Sequence, residues 1–270
     1  MQKIQKMANG VEIPSLGFGT FQIPDGAPVA AAVRTAVETG YTHFDCAAIY
    51  GNEDGVGLGL KQSGIEREKL FLTSKVWNDR QTFNDTLDAF QETLDRLGTD
   101  YLDLYLIHWP KPLSGECWSA LEKLYEEKKV RAIGVCNFTA RQLDELLATA
   151  KVTPMINQVE LHPQFPQNEL QSYCSSKNIL VESWGPLMQG KIFSLPLMKE
   201  LADKYNCSIA QLAVAWQFRQ DNIALVKSAK PERIQSNFIV PEIPFTDEDL
   251  AQIAAIPAQR IGPDPENFDF

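Results

Sequence analysis

Short apolar runs of strand character alternate eight times with segments of helical periodicity between residues 15 and 237, and the links between them are short. The runs fall at residues 15–20, 41–44, 70–77, 102–108, 130–135, 155–160, 179–184 and 223–226. Residues 27–39 read as the first helix, closed by Gly40, and residues 53–63 as the second in spite of Gly55, Gly57 and Gly59. Leu87, Phe90, Leu94 and Leu97 recur at helical spacing until Gly98 stops them, and Trp118, Leu121 and Leu124 mark the next helix. Capping-box pairs, Thr139 with Gln142 and Ser208 with Gln211, open two more. Residues 168–177 and 231–237 complete the set. Strands separated by helices run parallel, and eight such units with short links predict a closed α/β structure, a (β/α)8 TIM barrel, over a doubly wound sheet. Before the first unit, Asn9-Gly10 predicts a two-residue hairpin turn, because both residues tolerate positive φ. After the last, residues 246–255 predict one extra C-terminal helix and then a proline-rich tail. No linker or compositional break interrupts the pattern, so the expectation is a single domain over residues 1–270.

In such a barrel the strand C-termini converge on one face, and sites are built there. The second run leads into Asp45, the third carries Lys75 near its end, the fourth finishes in His108, and Tyr50 follows Asp45 in a loop. A buried carboxylate requires a partner, and Lys75 is the available cation. Taken singly, Asp45 and Lys75 read equally as a structural ion pair, and His108 as a satisfied core histidine. Three ionisable strand ends beside one tyrosine read instead as a site. The formal net charge of -10 argues against nucleic acid and against anionic membrane surfaces, both of which call for a basic face. No apolar run approaches a membrane span, and residues 1–6 lack the apolar core of a signal peptide. Five widely spaced cysteines without a Cys-x-x-Cys pair fit free thiols in a reducing cytosol, so a cytoplasmic protein is expected. Glu160 and His162 show no spacing that links them to a further metal ligand, and no metal is expected.

Residues 40–53, 70–77 and 100–110 resemble the three signature stretches of the aldo-keto reductases. Through Ala48-Ile49-Tyr50-Gly51-Asn52-Glu53 and Ser183-Trp184-Gly185-Pro186-Leu187 the chain is similar to the bacterial 2,5-diketo-D-gluconate reductases, and the likeness runs nearly end to end. The resemblance implies that the hairpin caps the barrel bottom. It also implies a monomeric reductase of small aldehydes, ketones or keto sugars, with substrates like 2,5-diketo-D-gluconate or methylglyoxal. Asp45, Tyr50, Lys75 and His108 are then its catalytic residues. Their chemistry fits that assignment. An alkoxide forming at a carbonyl requires a proton donor, and a free tyrosine, with a pKa of about 10, is a poor one near neutrality. The Lys75 ammonium, held by Asp45, is expected to lower that pKa, and His108 to orient the carbonyl oxygen.

These four residues move only protons, so the hydride must come from a cofactor. No Gly-x-Gly-x-x-Gly follows the first strand, where Gly17-Phe18-Gly19-Thr20-Phe21-Gln22 breaks the pattern, and no Walker motif occurs. Barrels bind phosphate after strands seven and eight, at a helix N-terminus. There Lys227, Ser228, Lys230, Arg233 and a fresh helix start interrupt an acidic chain. A solvated basic helix end is the plain alternative. The stretch resembles the family's site for the adenosine 2′-phosphate, which implies NADPH, with Asn237 at the adenine and Ser236 where a glutamate is usual. By the same resemblance Asn137 and Gln158 hold the nicotinamide carboxamide, Cys136 replaces a serine there, and the Trp184 ring stacks under the nicotinamide. Gly19, Thr20 and Asp45 border the cofactor, and Gly185, Pro186, Leu187, Gln189, Gly190 and Lys191 cross its pyrophosphate. Phe21, Trp77 and Trp109, with Tyr50 and His108, wall the substrate pocket, although aromatics near strand ends pack into cores as often. Two rival functions stand beside a reductase. One is a lyase using Lys75 as a Schiff-base nucleophile, which a paired, charged lysine disfavours. The other is a binding module without turnover, since a fold alone does not fix a function.

Overall fold

The computed structural model describes residues 3–267. A two-stranded antiparallel hairpin, β1 (Ile4–Lys6) and β2 (Glu12–Pro14), precedes a closed parallel barrel. Its eight strands are β3 (Leu16–Gly19), β4 (His43–Asp45), β5 (Phe71–Val76), β6 (Leu102–Ile107), β7 (Val130–Cys136), β8 (Ile156–Glu160), β9 (Leu180–Trp184) and β10 (Ile223–Val226). Neighbours in the barrel are neighbours in sequence, and β10 closes the ring by pairing Ala224 with Leu16 on one side and Ser183 on the other. Six of the eight strands are a residue or two shorter than their apolar runs, and His108 keeps a bond to the ladder just beyond β6, its amide donating to the Val76 carbonyl at 3.2 Å.

The hairpin lies at the strands' N-terminal end, tied by Lys3 Nζ to the Phe218 carbonyl at 3.0 Å and by Asn9 Nδ2 to the Arg131 carbonyl at 2.9 Å. Its turn corrects the expectation from Asn9-Gly10. Met7 and Val11 still pair (Met7 N to Val11 O, 2.9 Å), so three residues make the loop, and of these only Gly10 has positive φ, at 88°. A three-residue loop ending in a left-handed glycine matches the strand twist as well as a two-residue turn does.

Ten α-helices among the described residues cover the barrel and the tail. Those before the last strand are α1 (Ala27–Thr39), α2 (Glu53–Ser63), α3 (Phe83–Leu97), α4 (Ser114–Glu126), α5 (Ala140–Leu147), α6 (Asn168–Ser176), α7 (Pro196–Lys204) and α8 (Ile209–Arg219). After it come α9 (Pro231–Phe238) and α10 (Asp247–Ala254). Thr139 and Ser208 cap α5 and α8 in capping boxes, as their sequences predict. The glycines of α2 have a packing reason. A Cβ on Gly57 would lie 2.7 Å from the Arg96 carbonyl oxygen, and one on Gly59 2.8 Å from that of Ala30, so α2 sits against both α1 and α3 only without side chains there. Helix α7 was not expected. It lies in the long link between β9 and α8, opens on Pro196 and buries Met198, Leu201 and Ala202.

Candidate active site

Alternation along the strands puts every second side chain inside the barrel. On β4 these are His43 and Asp45, on β5 Thr73 and Lys75, on β8 Gln158 and on β9 Glu182, all buried. Asp45 and Lys75 meet at the mouth. Lys75 Nζ is 2.7 Å from each Asp45 carboxylate oxygen and donates a third bond to the Cys46 carbonyl at 2.8 Å. The lysine is fully buried. Burial works most strongly against its charge, but Asp45, together with smaller contributions from Tyr50 and Cys136, outweighs it and holds Lys75 above the ordinary lysine range.

Tyr50 stands on a single 3₁₀ turn, Ala48–Tyr50, just after β4. The start of α2 anchors that turn. Ser74 Oγ and Arg96 Nε donate to the buried Glu53 carboxylate at 2.5 and 2.8 Å, and Asn52 Nδ2 donates to the Thr20 and Ile23 carbonyls at 2.9 Å. The Tyr50 hydroxyl is thereby held 3.4 Å from Lys75 Nζ. Here the expectation of a lowered phenol pKa is corrected. Burial pushes Tyr50 up by more than the ammonium brings it down, and the phenol stays protonated. His108 completes the group, its ring 5.7 Å from that of Tyr50 and 5.1 Å from that of Trp77. Burial, aided by the Lys75 charge, keeps its imidazole neutral well below the usual histidine range. Its Nδ1 is buried without a partner among the described residues. The arrangement is a neutral imidazole and a protonated phenol backed by a fixed ammonium, all at one mouth. It can hand a proton to an oxygen while stabilising the phenolate left behind.

Around this group the other expected residues divide. Phe21 flanks Tyr50 at 4.9 Å between ring centroids, and Trp77 flanks His108, whereas Trp109 is only 7% exposed and its carbonyl accepts from Gln81 Nε2. Thr20 Oγ1 donates to the Asp45 carbonyl at 3.0 Å, and Gly19 pairs with Asp45 in the sheet. Asn137, at a left-handed φ of 63°, donates to the His108 carbonyl at 3.0 Å and accepts from Trp184 Nε1 at 2.8 Å. Gln158 Nε2 bridges two acids, reaching Asp45 Oδ1 and Glu182 Oε2 at 2.8 Å each. Cys136 is fully buried, and burial raises its thiol well above the ordinary range. Gly185 to Lys191 form the loop after β9, with Gln189 and Gly190 at positive φ. Lys227 and Ser228 follow β10, and Arg233 and Asn237 lie on α9.

The end of β10 also fits an anionic group on the structure's own terms. Lys227, Lys230 and Arg233 form no ion pair among the described residues, and α9 opens at Lys230 without a side-chain cap. Ser228 Oγ accepts from the Lys230 amide at 3.1 Å, which fixes the approach to that helix start.

The sequence reading passed over two features here and weighed a third residue, Glu160, only as a metal ligand. Ile49, Leu113 and Phe193 are large exposed apolar side chains on the loops after β4, β6 and β9, in the company of exposed Phe21. Glu182 lies in the barrel interior with His43, 3.5 Å away. Its charge in an otherwise apolar run was the available signal. Finally, Glu160 binds the backbone of residues 261 and 262.

Comparison with known proteins agrees with this architecture. A family model described as "Aldo/keto reductase family" matches residues 15–258. Glyoxal reductase of Bacillus subtilis (strain 168) is 45% identical over 267 residues, covering 98% of this chain and 97% of its own. Methylglyoxal reductase DkgA of Escherichia coli O157:H7 is 39% identical over 269 residues, covering 97% of each. The crystal structure of a Gox0644 mutant in complex with NADPH matches with a TM-score of 0.94 at 35% identity, over 100% of both chains. The chain belongs to the aldo/keto reductase family.

Proposed function

We propose that this chain is an NADPH-dependent reductase of small aldehydes, ketones and keto sugars in which Tyr50 gives the proton. The observation that carries the reading is the Tyr50 hydroxyl 3.4 Å from a lysine that Asp45 holds charged, beside a neutral histidine. NADPH, when bound, supplies the hydride. Lys227, Arg233 and the start of α9 hold its 2′-phosphate, Asn137, Gln158 and Trp184 flank the nicotinamide end, and the loop from Gly185 to Lys191 crosses the pyrophosphate. The NADPH-bound relative supports that cofactor. Gln158 has both amide hydrogens on Asp45 and Glu182, so its Oε1 is the atom left to accept from a carboxamide.

His108 donates to the carbonyl oxygen and orients it. As negative charge grows there, Tyr50 releases its proton, and the phenolate that forms lies beside the Lys75 ammonium. At 3.4 Å that attraction is worth about 5 kcal/mol with an effective dielectric of about 20. A Schiff-base role for Lys75 fits poorly, because an amine held above the ordinary lysine range is not a nucleophile near neutrality.

Glyoxal reductase and methylglyoxal reductase among the relatives support small dicarbonyls as substrates. A test is NADPH oxidation followed with methylglyoxal, 2,5-diketo-D-gluconate and a ketosteroid. The reading expects the two small dicarbonyls to lead in kcat/KM. A ketosteroid preference overturns the substrate class, and no turnover of any carbonyl leaves a binding module as the better reading.

A further inference from the structure

Glu160, the last residue of β8, is buried and, among the described residues, makes no hydrogen bond or ion pair with Asp45, Tyr50, Lys75 or His108. Its carboxylate instead accepts the Ile261 amide at 2.6 Å, the Gly262 amide at 2.9 Å and His162 Nε2 at 2.9 Å. Burial alone would raise this carboxyl, but the bonds from His162, Ile261 and Gly262 outweigh it and hold the group low, so it is ionised near neutrality. The two amides belong to a strap of chain that leaves α10 and crosses the mouth. Before them, the Gln259 amide donates to the Gln164 carbonyl at 2.8 Å, and the Arg260 guanidinium lies over the Phe165 ring at 4.3 Å. After them, Glu266 accepts from Thr139 Oγ1 at 2.8 Å and from Arg141 at the start of α5.

Between those two anchorages the strap presses on Trp184. A Cβ on Gly262 would lie 2.3 Å from Trp184 Cη2 and 2.8 Å from Glu160 Oε2. Gly262 has no positive φ, so its backbone would accept a side chain, and the indole and the carboxylate are what forbid one. At its other edge the same indole donates to Asn137, which in turn donates to the His108 carbonyl. The ring is thus gripped from both sides: Asn137 holds its nitrogen, and the strap blocks its benzene edge.

We propose that Glu160 is a positioning residue. By clamping the amides of Ile261 and Gly262 it holds the strap against Trp184 and so fixes the face that the indole presents to the nicotinamide end of the cofactor. This rests on the NADPH reading above. Glutamine is nearly isosteric with glutamate, but the Ile261 and Gly262 amides reach different carboxylate oxygens, and glutamine puts an NH₂ in place of one of them, facing an N–H. Gly262→Ala disturbs the same contact from the strap side and leaves both Glu160 and Trp184 in place as side chains.

The test combines amide hydrogen exchange with calorimetric titration of NADPH. Glu160→Gln is expected to speed exchange at Ile261 and Gly262 at least tenfold and to raise the NADPH dissociation constant about fivefold. Gly262→Ala should raise it comparably, and it carries the test if Glu160→Gln does not fold. In a Trp184→Ala background neither change should add a further loss, since the indole they act through is gone. If Trp184→Ala weakens NADPH but Glu160→Gln and Gly262→Ala do not, or if their losses add to that of Trp184→Ala, the clamp is only structural and the proposal is overturned. If Trp184→Ala itself leaves NADPH binding unchanged, the placing of the indole beside the cofactor fails, and the clamp's role fails with it.

Discussion

Glu182 offers a quantitative test of how the barrel interior is charged. Its carboxyl is fully buried, and burial first, then the nearby Asp45 charge, push its pKa from 4.5 up to about 8, against the opposing pull of the Gln158 hydrogen bond. Near neutrality it is therefore a protonated acid. Oε2 accepts from Gln158, and Oε1 faces His43 Nε2 at 3.5 Å, while His43 Nδ1 lies 3.2 Å from the Pro14 carbonyl. A glutamine reproduces this pattern, accepting with its oxygen and offering its NH₂ to His43, but it binds no extra proton. In the unfolded chain Glu182 is ionised above pH 4.5, so folding must take up a proton. At pH 7 the cost is (7 − 4.5) × 1.36, or about 3 kcal/mol. The sign follows. The folded state binds more protons than the unfolded one between pH 4.5 and 8, and this group's contribution to stability falls as pH rises through that window. Burial lowers His43 to about 4, which gives the opposite slope, but only up to the ordinary histidine range near 6.5. Lys75 and Tyr50, both raised, act only above about pH 10. From pH 6.5 to 8, then, Glu182 dominates, and the parent should lose about 2 kcal/mol that Glu182→Gln keeps. Equilibrium urea unfolding of both proteins at pH 6.5, 7.2 and 8 measures this. Parallel pH slopes, or a variant less stable than the parent at pH 7.2, would refute the reasoning.

Removing the proton donor by Tyr50→Phe should lower kcat by a factor on the order of 10² or more while NADPH still binds, as rapid kinetics and titration would show; turnover within a few-fold of the parent removes Tyr50 from the role. Lys75→Met strips the phenolate of its counter-charge and leaves Asp45 buried beside a thioether, so both activity and thermal stability should fall, and an unchanged pH profile of kcat would reduce Lys75 to a structural role. Arg233→Ala should erode an NADPH preference over NADH of at least tenfold, roughly 1.4 kcal/mol, chiefly by weakening NADPH, and added salt should do the same. Equal affinities for the two cofactors in the parent would take the 2′-phosphate away from this stretch.

The barrel was legible because its strands are buried on both faces and read as apolar runs, separated by helical patterns of which two, α5 and α8, open on capping boxes. The meeting of Asp45, Lys75 and His108 at the mouth was legible for the same reason, since a charge at the end of such a run has nowhere else to go, and Tyr50 was placed beside them by the loop that follows Asp45. What escaped was of two kinds. Helix α7 hid inside a link taken for a loop, where Pro196 and its small apolar face form a helix that packs on the barrel's outer ring but adds no strand to it. The other omissions depend on contacts distant in sequence. Glu160 meets the Ile261 amide across 101 positions, and no local pattern announces that bond. The direction of the Tyr50 pKa belongs here as well. Spacing showed that an ammonium would lie beside the phenol, but the sign depends on whether that charge exceeds the cost of desolvation, and desolvation is set by Phe21, His108 and the rest of the mouth closing around the ring. A sequence can therefore place the partners of a buried charge. The balance between pairing and burial, which decides whether Tyr50 rests as phenol or phenolate and whether Glu182 carries a charge at all, is settled only by the packing.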